Sequence, residues 1–520
     1  MFTDNMKTPH LTRRNFSKTL LAAPLLVNAQ TKPARIKIDT ERVIGEIDPK
    51  LYGNFLEHLG RCVDGGVFQE GSKLSDADGY RKDVLQASKD LNIGLLRWPG
   101  GNFSSNYHWK DGIGPRDQRP SRLEMAWGTV ESNRFGTHEF LKYTEKLGTE
   151  PYFCTNLGTG SWEEAQQWVE YCNSSEDTAM TRLRKQNGRA QPWKVTYWGL
   201  GNEMDGPWQM GHRSADDYGK FALEAAKLMK FTDPNIKLIA AGSSNYGPGI
   251  DWIGWNKTVL EYLKHHADYL ALHMYVGNRE NNYLEFMASS LDLDDKTKTA
   301  EGIIRGAMTT EPGRKMYIAW DEWNVWYRAR GNKERGRRIL EERYNLEDAL
   351  VIATFLNSFI NHAHIVKIAN MAQLVNVIAP MFTSDEGMFL QTIYYPLQMF
   401  AQNSKGKSLE LFVDSPKYTS KKFGDVNYID TSAAYDNGNL VLNVVNRHET
   451  QAITVEIELQ DKEFAGPVAI SEVNGPDIKA ENDFGVTKVK PTPRTATAAG
   501  RKLTQTFAPH SYTMLKVKLG

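Results

Sequence analysis

At 520 residues, with 63 Lys plus Arg against 63 Asp plus Glu, the chain has room for a barrel-sized domain and a smaller second one, and its balanced charge argues against a polyanionic partner such as nucleic acid. Its 13 tryptophans and 22 tyrosines are flat amphipathic rings, suited to a core and to the apolar faces of sugars. The cysteines Cys62, Cys154 and Cys172 form no CxxC pair, and their odd number leaves one outside any internal disulfide set, so they read as structural thiols.

In chain order, Thr12-Arg13-Arg14-Asn15-Phe16-Ser17-Lys18 precedes an apolar run from Thr19 to Val27 and then Asn28-Ala29. This pattern predicts a twin-arginine signal over residues 1–29 and hence a periplasmic or extracellular protein. The run is shorter than the roughly 20 residues that span a bilayer, so no stable membrane anchor is expected. Residues 30–48 include ARIKIDTERVIGEI, which alternates like an isolated strand and is expected to pair with the C-terminal domain.

Between residues 49 and 392 short apolar runs alternate with helical segments. The runs are Leu51 to Phe55, Leu95 to Trp98, Tyr152 to Thr155, Val195 to Leu200, Leu238 to Gly242, Tyr269 to His273, Met316 to Trp320 and Ile365 to Ala369. Continuous apolar character is the signature of parallel strands covered on both faces. The segment from Ser214 to Phe231 shows what lies between them: Ser214 and Asp217 cap a helix in which Tyr218, Phe221, Ala222, Ala225, Leu228 and Met229 share one face. Eight such units predict a (β/α)8 TIM barrel, whereas a doubly wound sheet would call for a glycine fingerprint at its first turn that is absent. From 393 to 520 the helical signal disappears and short strands such as LVLNVVNR, AITVEIEL and SYTMLKVKL predict an antiparallel, jelly-roll-like β-sandwich. The stretch from Asn482 to Lys502, rich in Pro, Thr and Ala, reads as a loop. No pattern is assignable to Asn278–Thr310 or Tyr327–Asn345.

A (β/α)8 barrel builds its active site where its strands end. The expected strand ends carry Glu57 and His58, Asn102, Asn156, Asn202 and Glu203, His273 and Tyr275, Asp321 and Glu322, and Asn370 and Gln373. Trp98, Trp198, Trp208, Trp320 and Trp323 lie nearby. Together they describe a cleft that hydrogen-bonds many hydroxyls. Glycoside cleavage needs one carboxylic acid to protonate the leaving oxygen and one carboxylate to attack or to activate water, and Glu203 and Glu322 follow strands four and seven, able to face each other across the mouth. His265-His266 and His362-x-His364 lack metal-ligand spacing and a third ligand, so no metal site is predicted.

These motifs resemble the α-L-arabinofuranosidases of glycoside hydrolase family 51. The resemblance runs from Leu51 to the C-terminus through LYGNFLEHLGRCVDGG, LRWPGGNFSSNYHWKDGIGP, WGTVESNRFGTHEF, WGLGNEMDGPWQMGH, ALHMYVGN, AWDEWNVWY and ANMAQLVNVIAPM, with a weaker echo in APHSYTMLKV. It implies a retaining double displacement with Glu203 as general acid/base and Glu322 as nucleophile. It further implies that Glu57, Asn102, Asn202 and Gln373 bind hydroxyls of the arabinofuranosyl ring. Tyr275 should orient the nucleophile with His273 beside it, and Arg97, Trp98 and Trp323 should support the site. An arabinose-containing oligo- or polysaccharide substrate, no cofactor, and a homo-oligomer, commonly a hexamer, follow from the same likeness. Two alternatives stay open at this level: another barrel glycosidase, such as an endoglucanase, xylosidase or galactofuranosidase, and a non-catalytic carbohydrate-binding protein.

Overall fold

The computed structural model describes residues 33–244, 251–330 and 338–520. Eight parallel strands close into a barrel in the order of the chain: Gly53–Phe55, Leu95–Trp98, Glu150–Cys154, Tyr197–Leu200, Lys237–Ala241, Tyr269–Val276, Tyr317–Val325 and Val366–Ala372. Each of the eight apolar runs lies on one of them, as expected of the TIM barrel.

Side chains alternate along a strand, so Leu95 and Arg97 point into the barrel while Leu96 and Trp98 point out. Inside, Leu95, Tyr152, Ile239, Tyr269, Ala271, Ala319 and Ile368 form one packed plug below the mouth. Outside, Trp98 stacks on Phe140 at 5.1 Å and meets Phe153 and Trp168, joining strand to helix through aromatic contact. The helix Ala215–Thr232 starts as its sequence dictates, with Ser214 accepting a hydrogen bond from the backbone of Asp217.

The seventh strand departs from simple alternation. Ala319 pairs with Ala271 and Glu322 with His273, so three steps on one strand match two on its neighbour. The extra residue is a β-bulge, and it turns two successive carboxylates, Asp321 and Glu322, toward the interior.

The C-terminal unit is a nine-stranded sheet, antiparallel except where Ala34–Ile47 lies parallel to Ile453–Leu459. Ala34–Ile47 also pairs antiparallel with Gly406–Asp414. Strands from both halves of the sheet, carrying Ile36, Ile457 and Leu503 on one side and Leu442, Val468 and Leu515 on the other, share one apolar core, so the sheet folds over on itself as a sandwich. Val441, Val445, Val473, Tyr512 and Met514 turn the other way and pack on the barrel's own core. The helix Leu346–Asn361 lies between the two and is buried along its whole length but for its last residue.

Three segments differ from expectation. Tyr394–Asn403 is a helix, although no helical signal was expected beyond Ile393: Tyr394, Pro396, Leu397, Met399, Phe400 and Ala401 are all buried, so no polar face marks the period. Lys490–Thr497, expected in a loop, is an edge strand of the sheet. Pro491 and Pro493 are compatible with it there because an edge strand has an unpaired side. The unassigned stretch from Asn278 to Thr310 is largely helical, through Tyr283–Met287, Ser289–Ala307 and Met308–Thr310. The buried face of Ser289–Ala307 includes Ser290, Thr297 and Ala300, which dilute its apolar repeat, and Thr297 accepts a hydrogen bond from the indole of Trp320.

Candidate active site

The polar residues at the strand ends converge on a cleft of about 740 Å³ at the barrel mouth, lined among others by Glu57, Asn102, Trp127, Glu203, Trp208, His273, Tyr275, Glu322, Trp326 and Gln373. Glu203 and Glu322 face each other across it. One oxygen of each lies, with a ring nitrogen of His273, in a set whose members are all within 4.8 Å of one another.

Glu322 is held from both sides. Arg97 Nη1 donates to its Oε1 at 2.8 Å and Tyr275 Oη to its Oε2 at 2.9 Å. Arg97, fully buried, also donates to Asn202 Oδ1 at 2.6 Å and to the Asp321 carbonyl at 3.2 Å, while its guanidinium lies over the Phe55 ring. Asp321 faces the same guanidinium, accepts from Tyr152 Oη at 2.8 Å and sits 3.2 Å from His273 Nε2. Burial would raise the Asp321 carboxyl, but Arg97, His273 and Tyr152 outweigh it and hold it below the ordinary range.

Glu203 sits at φ 44°, in the left-handed region, just after Gly201 at φ 82°. Such a conformation costs a non-glycine residue on the order of 1–3 kcal/mol, and here it aims a carboxyl into the cleft. Its Oε1 meets His273 Nδ1 at 2.9 Å and its Oε2 accepts from Trp208 Nε1 at 2.6 Å. Burial, with the charge of Glu322, raises the Glu203 carboxyl above its ordinary range despite the hydrogen bond from His273. His273 moves the same way for a different reason: burial opposes its cation, but Glu322, Asp321 and Glu203 surround it and hold the imidazolium. Both ring nitrogens then face carboxyl oxygens.

Glu57 forms the opposite wall. Its Oε1 accepts from the Phe103 backbone at 3.0 Å and from Trp127 Nε1 at 3.2 Å, and its Oε2 from Gln373 Nε2 at 2.8 Å. Burial first, and the Glu322 charge second, push its carboxyl up to about 7. The Pro99-Gly100-Gly101 turn passes so close that a Cβ on Gly101 would fall 2.7 Å from Glu57 Oε2, which is why glycine stands there. Asn102 lines the cleft beside it. Asn202 does not line the cleft: its oxygen is taken by Arg97 and its Nδ2 is buried without a hydrogen-bond partner among the described residues.

Other expected residues lie elsewhere. Trp98 and Trp323 are buried outside the barrel wall, Trp323 against Phe355 and Phe359, so they steady the strands without lining the cleft. His58 pairs with Glu131 at 2.8 Å and stacks on Phe103. Asn156 is spent on the backbone amides of Gly158, Thr159 and Gly160, and Asn370 on the carbonyls of Asn54 and Leu95. Trp127, Trp326 and Arg330 reach the cleft from loops, where strand-end reasoning does not look.

Glu203, His273 and Glu322 are the one group of three such side chains, among the described residues, close enough to hold a metal ion. Their oxygens already accept from Arg97, Tyr275 and Trp208, and a buried guanidinium in contact with Glu322 disfavours a second cation.

Two family models match the chain: the α-L-arabinofuranosidase 1 domain over residues 87–296 and the α-L-arabinofuranosidase C-terminal domain over residues 321–511. The intracellular exo-α-(1→5)-L-arabinofuranosidase 1 of Bacillus subtilis strain 168 is 41% identical over 498 residues, covering 94% of this chain and 99% of the relative. A protein of Acetivibrio thermocellus named intracellular exo-α-(1→5)-L-arabinofuranosidase is 38% identical over 477 residues, 88% of this chain and 94% of its own. Among solved structures, AbfB, a family 51 α-L-arabinofuranosidase from Bifidobacterium longum, superposes with a TM-score of 0.89 at 32% identity, covering 94% of this chain and all of that one. The arabinose complex of the Thermotoga maritima α-L-arabinofuranosidase gives 0.86 at 36% identity, covering 93% and 100%. The expected export is corrected by these comparisons. The relatives from Bacillus subtilis, Halalkalibacterium halodurans and Acetivibrio thermocellus are named intracellular, which points against a twin-arginine-exported periplasmic or extracellular protein. The expectation rested on two arginines and the short run from Thr19 to Val27, a pattern too short to fix a compartment, and residues 1–29 lie outside those described.

Proposed function

The chain belongs to the family 51 α-L-arabinofuranosidases, and from that premise we propose that it removes terminal non-reducing α-L-arabinofuranosyl residues by a retaining double displacement. The observation that carries the mechanism is the approach of Glu203 and Glu322 to within 4.8 Å, oxygen to nearest oxygen, from the ends of strands four and seven. So close an approach supports direct attack by the second carboxylate over attack by a water held between it and the sugar.

In the first step Glu322 attacks the anomeric carbon while Glu203 gives its proton to the departing glycosidic oxygen, leaving arabinose esterified to Glu322. In the second, Glu203 takes a proton from water, whose oxygen displaces Glu322 from the same carbon. The two acids need opposite protonation states at the outset. Arg97 and Tyr275 donate to the Glu322 carboxylate, whereas burial raises the Glu203 carboxyl above its ordinary range. Glu57, Asn102 and Gln373 bind the ring hydroxyls from the wall opposite the leaving group.

Relatives named for exo action on α-(1→5) linkages support arabino-oligosaccharides of that linkage as substrates. A homo-oligomer, hexameric by family resemblance, is part of the same reading. So is a division into a barrel at 49–392 and a sandwich at 393–520 joined by residues 30–48, for which the pairing of Ala34–Ile47 with Gly406–Asp414 is support.

Proton NMR of the first product formed from an aryl α-L-arabinofuranoside tests the reading. We expect the α-anomer of arabinose to appear before mutarotation. A β-anomer first, or hydrolysis of an aryl β-D-xyloside or β-D-glucoside in its stead, overturns it.

A further inference from the structure

The proposed mechanism leaves one charged feature of the cleft unused. Contacts run outward from the nucleophile: Tyr275 donates to Glu322, the Trp326 ring meets Tyr275 edge-on at 5.3 Å, and Arg330 stands over Trp326 at 4.7 Å. Arg330 lines the cleft together with Trp326 and Trp208, and Trp208 is bound to Glu203. Glu203 must face the departing oxygen, so this wall belongs to the leaving-group side. Glu57, Gln373 and Asn102 lie across the cleft on the side of the cleaved sugar.

Arg330 is bonded to no carboxylate among the described residues, and neither is Arg279, which follows the sixth barrel strand and is near enough for the two cations to repel. Arg328, two residues before Arg330, is paired with Asp348 at 2.9 Å. Arg330, partly desolvated on the cleft wall and without a carboxylate partner among the described residues, gains from an anion that reaches it. An arginine already stacked on an indole keeps its planar fork of donors free for a carboxylate.

We propose that Arg330, with the nearby charge of Arg279 adding to its own, forms a leaving-side subsite for a carboxylate, so that the enzyme favours arabinofuranosyl groups borne on uronic-acid-containing oligosaccharides over the same groups on neutral ones. The subsite rests on the arabinofuranosidase reading, because it is defined by the sugar to be expelled. The carboxylate meets the guanidinium where it stands over Trp326.

The test compares arabinofuranosyl oligosaccharides that differ only in whether a leaving-side residue is a uronate or its carbinol-reduced sugar, with glucuronate and galacturonate in separate arms. The expected result at low salt is a kcat/KM about fivefold higher for at least one uronate, the scale of a partly exposed ion pair. That ratio should collapse toward one in R330Q, fall in part in R279Q, and shrink in wild type as salt is raised. A ratio of one in the wild-type enzyme, or a ratio unchanged in R330Q, overturns the subsite while the neutral substrates still report an arabinofuranosidase. No arabinose from either member of the pair overturns both readings.

Discussion

Replacing Arg97 with methionine tests how the nucleophile is held. Arg97 is 1% exposed, and its nitrogens reach Glu322 at 2.8 Å, Asn202 at 2.6 Å and Asp321 Oδ2 at 3.5 Å. Methionine fills most of the volume over Phe55 but leaves two carboxylates buried side by side with no guanidinium between them. Removing one partner of a buried ion pair costs roughly 3–5 kcal/mol, a large share of the roughly 5–15 kcal/mol that keeps a domain folded. The pH dependence follows from Asp321. Its folded-state carboxyl is held below the ordinary range, burial opposing and Arg97 the foremost attraction, so its contribution to stability is present above the unfolded pKa and lost as pH falls through the folded one. Arg97→Met removes that contribution, so its deficit should be full at neutral pH and narrow below about pH 4, where the unfolded carboxyl also takes up its proton. Urea midpoints followed by tryptophan fluorescence across that range measure it. A deficit under about 1 kcal/mol at neutral pH, or one that widens on acidification, refutes the electrostatic account. Arg97→Lys separates charge from geometry. It should recover much of the stability, yet lose about 100-fold in kcat, because one ammonium cannot span Glu322 and Asn202 together.

Glu322→Ala should abolish turnover while leaving the circular dichroism spectrum near wild type; residual activity within about a hundredfold would remove Glu322 from the nucleophile role. Glu203→Ala should lose about 10²–10⁴-fold on arabinobiose and far less on a dinitrophenyl arabinofuranoside, which leaves without a proton; equal losses on both would contradict an acid role. Trp208→Phe deletes a donor that lowers the Glu203 carboxyl, so the alkaline limb of kcat/KM should move to higher pH, and a shift to lower pH would reverse the sign of that contact. Gly101→Ala places a Cβ 2.7 Å from Glu57 Oε2 and should raise KM for every arabinofuranoside more than it lowers kcat; a kcat defect alone would mean that Glu57 is not displaced.

The barrel was legible in the sequence because its strands are covered on both faces and therefore read as unbroken apolar runs, each ending in a polar residue. Glu203, Glu322, His273 and Tyr275 could be placed at the mouth from that rule alone. What the rule could not give was direction. Trp98 and Trp323 sit at strand ends beside Arg97 and Glu322, yet alternation turns both out into the aromatic layer between strands and helices. Asp321 and Glu322 should have pointed to opposite faces, and only the bulge after Ala319, invisible as a pattern, brings both inward. Trp127, Trp326 and Arg330 arrive from loops whose course depends on contacts remote in sequence. The helix Ser289–Ala307 escaped because what it buries includes serine, threonine and alanine, dictated by the close approach of Trp320 and not by an apolar repeat.

The charges at the mouth are best understood together. Arg97 and His273 bring two positive charges into a buried space; Asp321, held below its ordinary range, and Glu322, which must be ionised to attack, bring two negative ones. Glu203 and Glu57 are both pushed upward, burial leading in each case and Glu322 adding to it, so each holds its proton to a higher pH than an ordinary glutamate does. Six ionisable side chains thus meet in one buried space, and no single pair balances the charge there. His273 is the hinge of the arrangement, since it touches Asp321 on one nitrogen and Glu203 and Glu322 on the other. When Glu203 releases its proton to the departing oxygen, the imidazolium is already in place against the new carboxylate. At the same moment Glu322 loses its charge to the ester bond, and the negative charge passes from one glutamate to the other between the same two cations. Glu57, at about 7, bears on that balance: once it ionises, a further negative charge stands across the cleft.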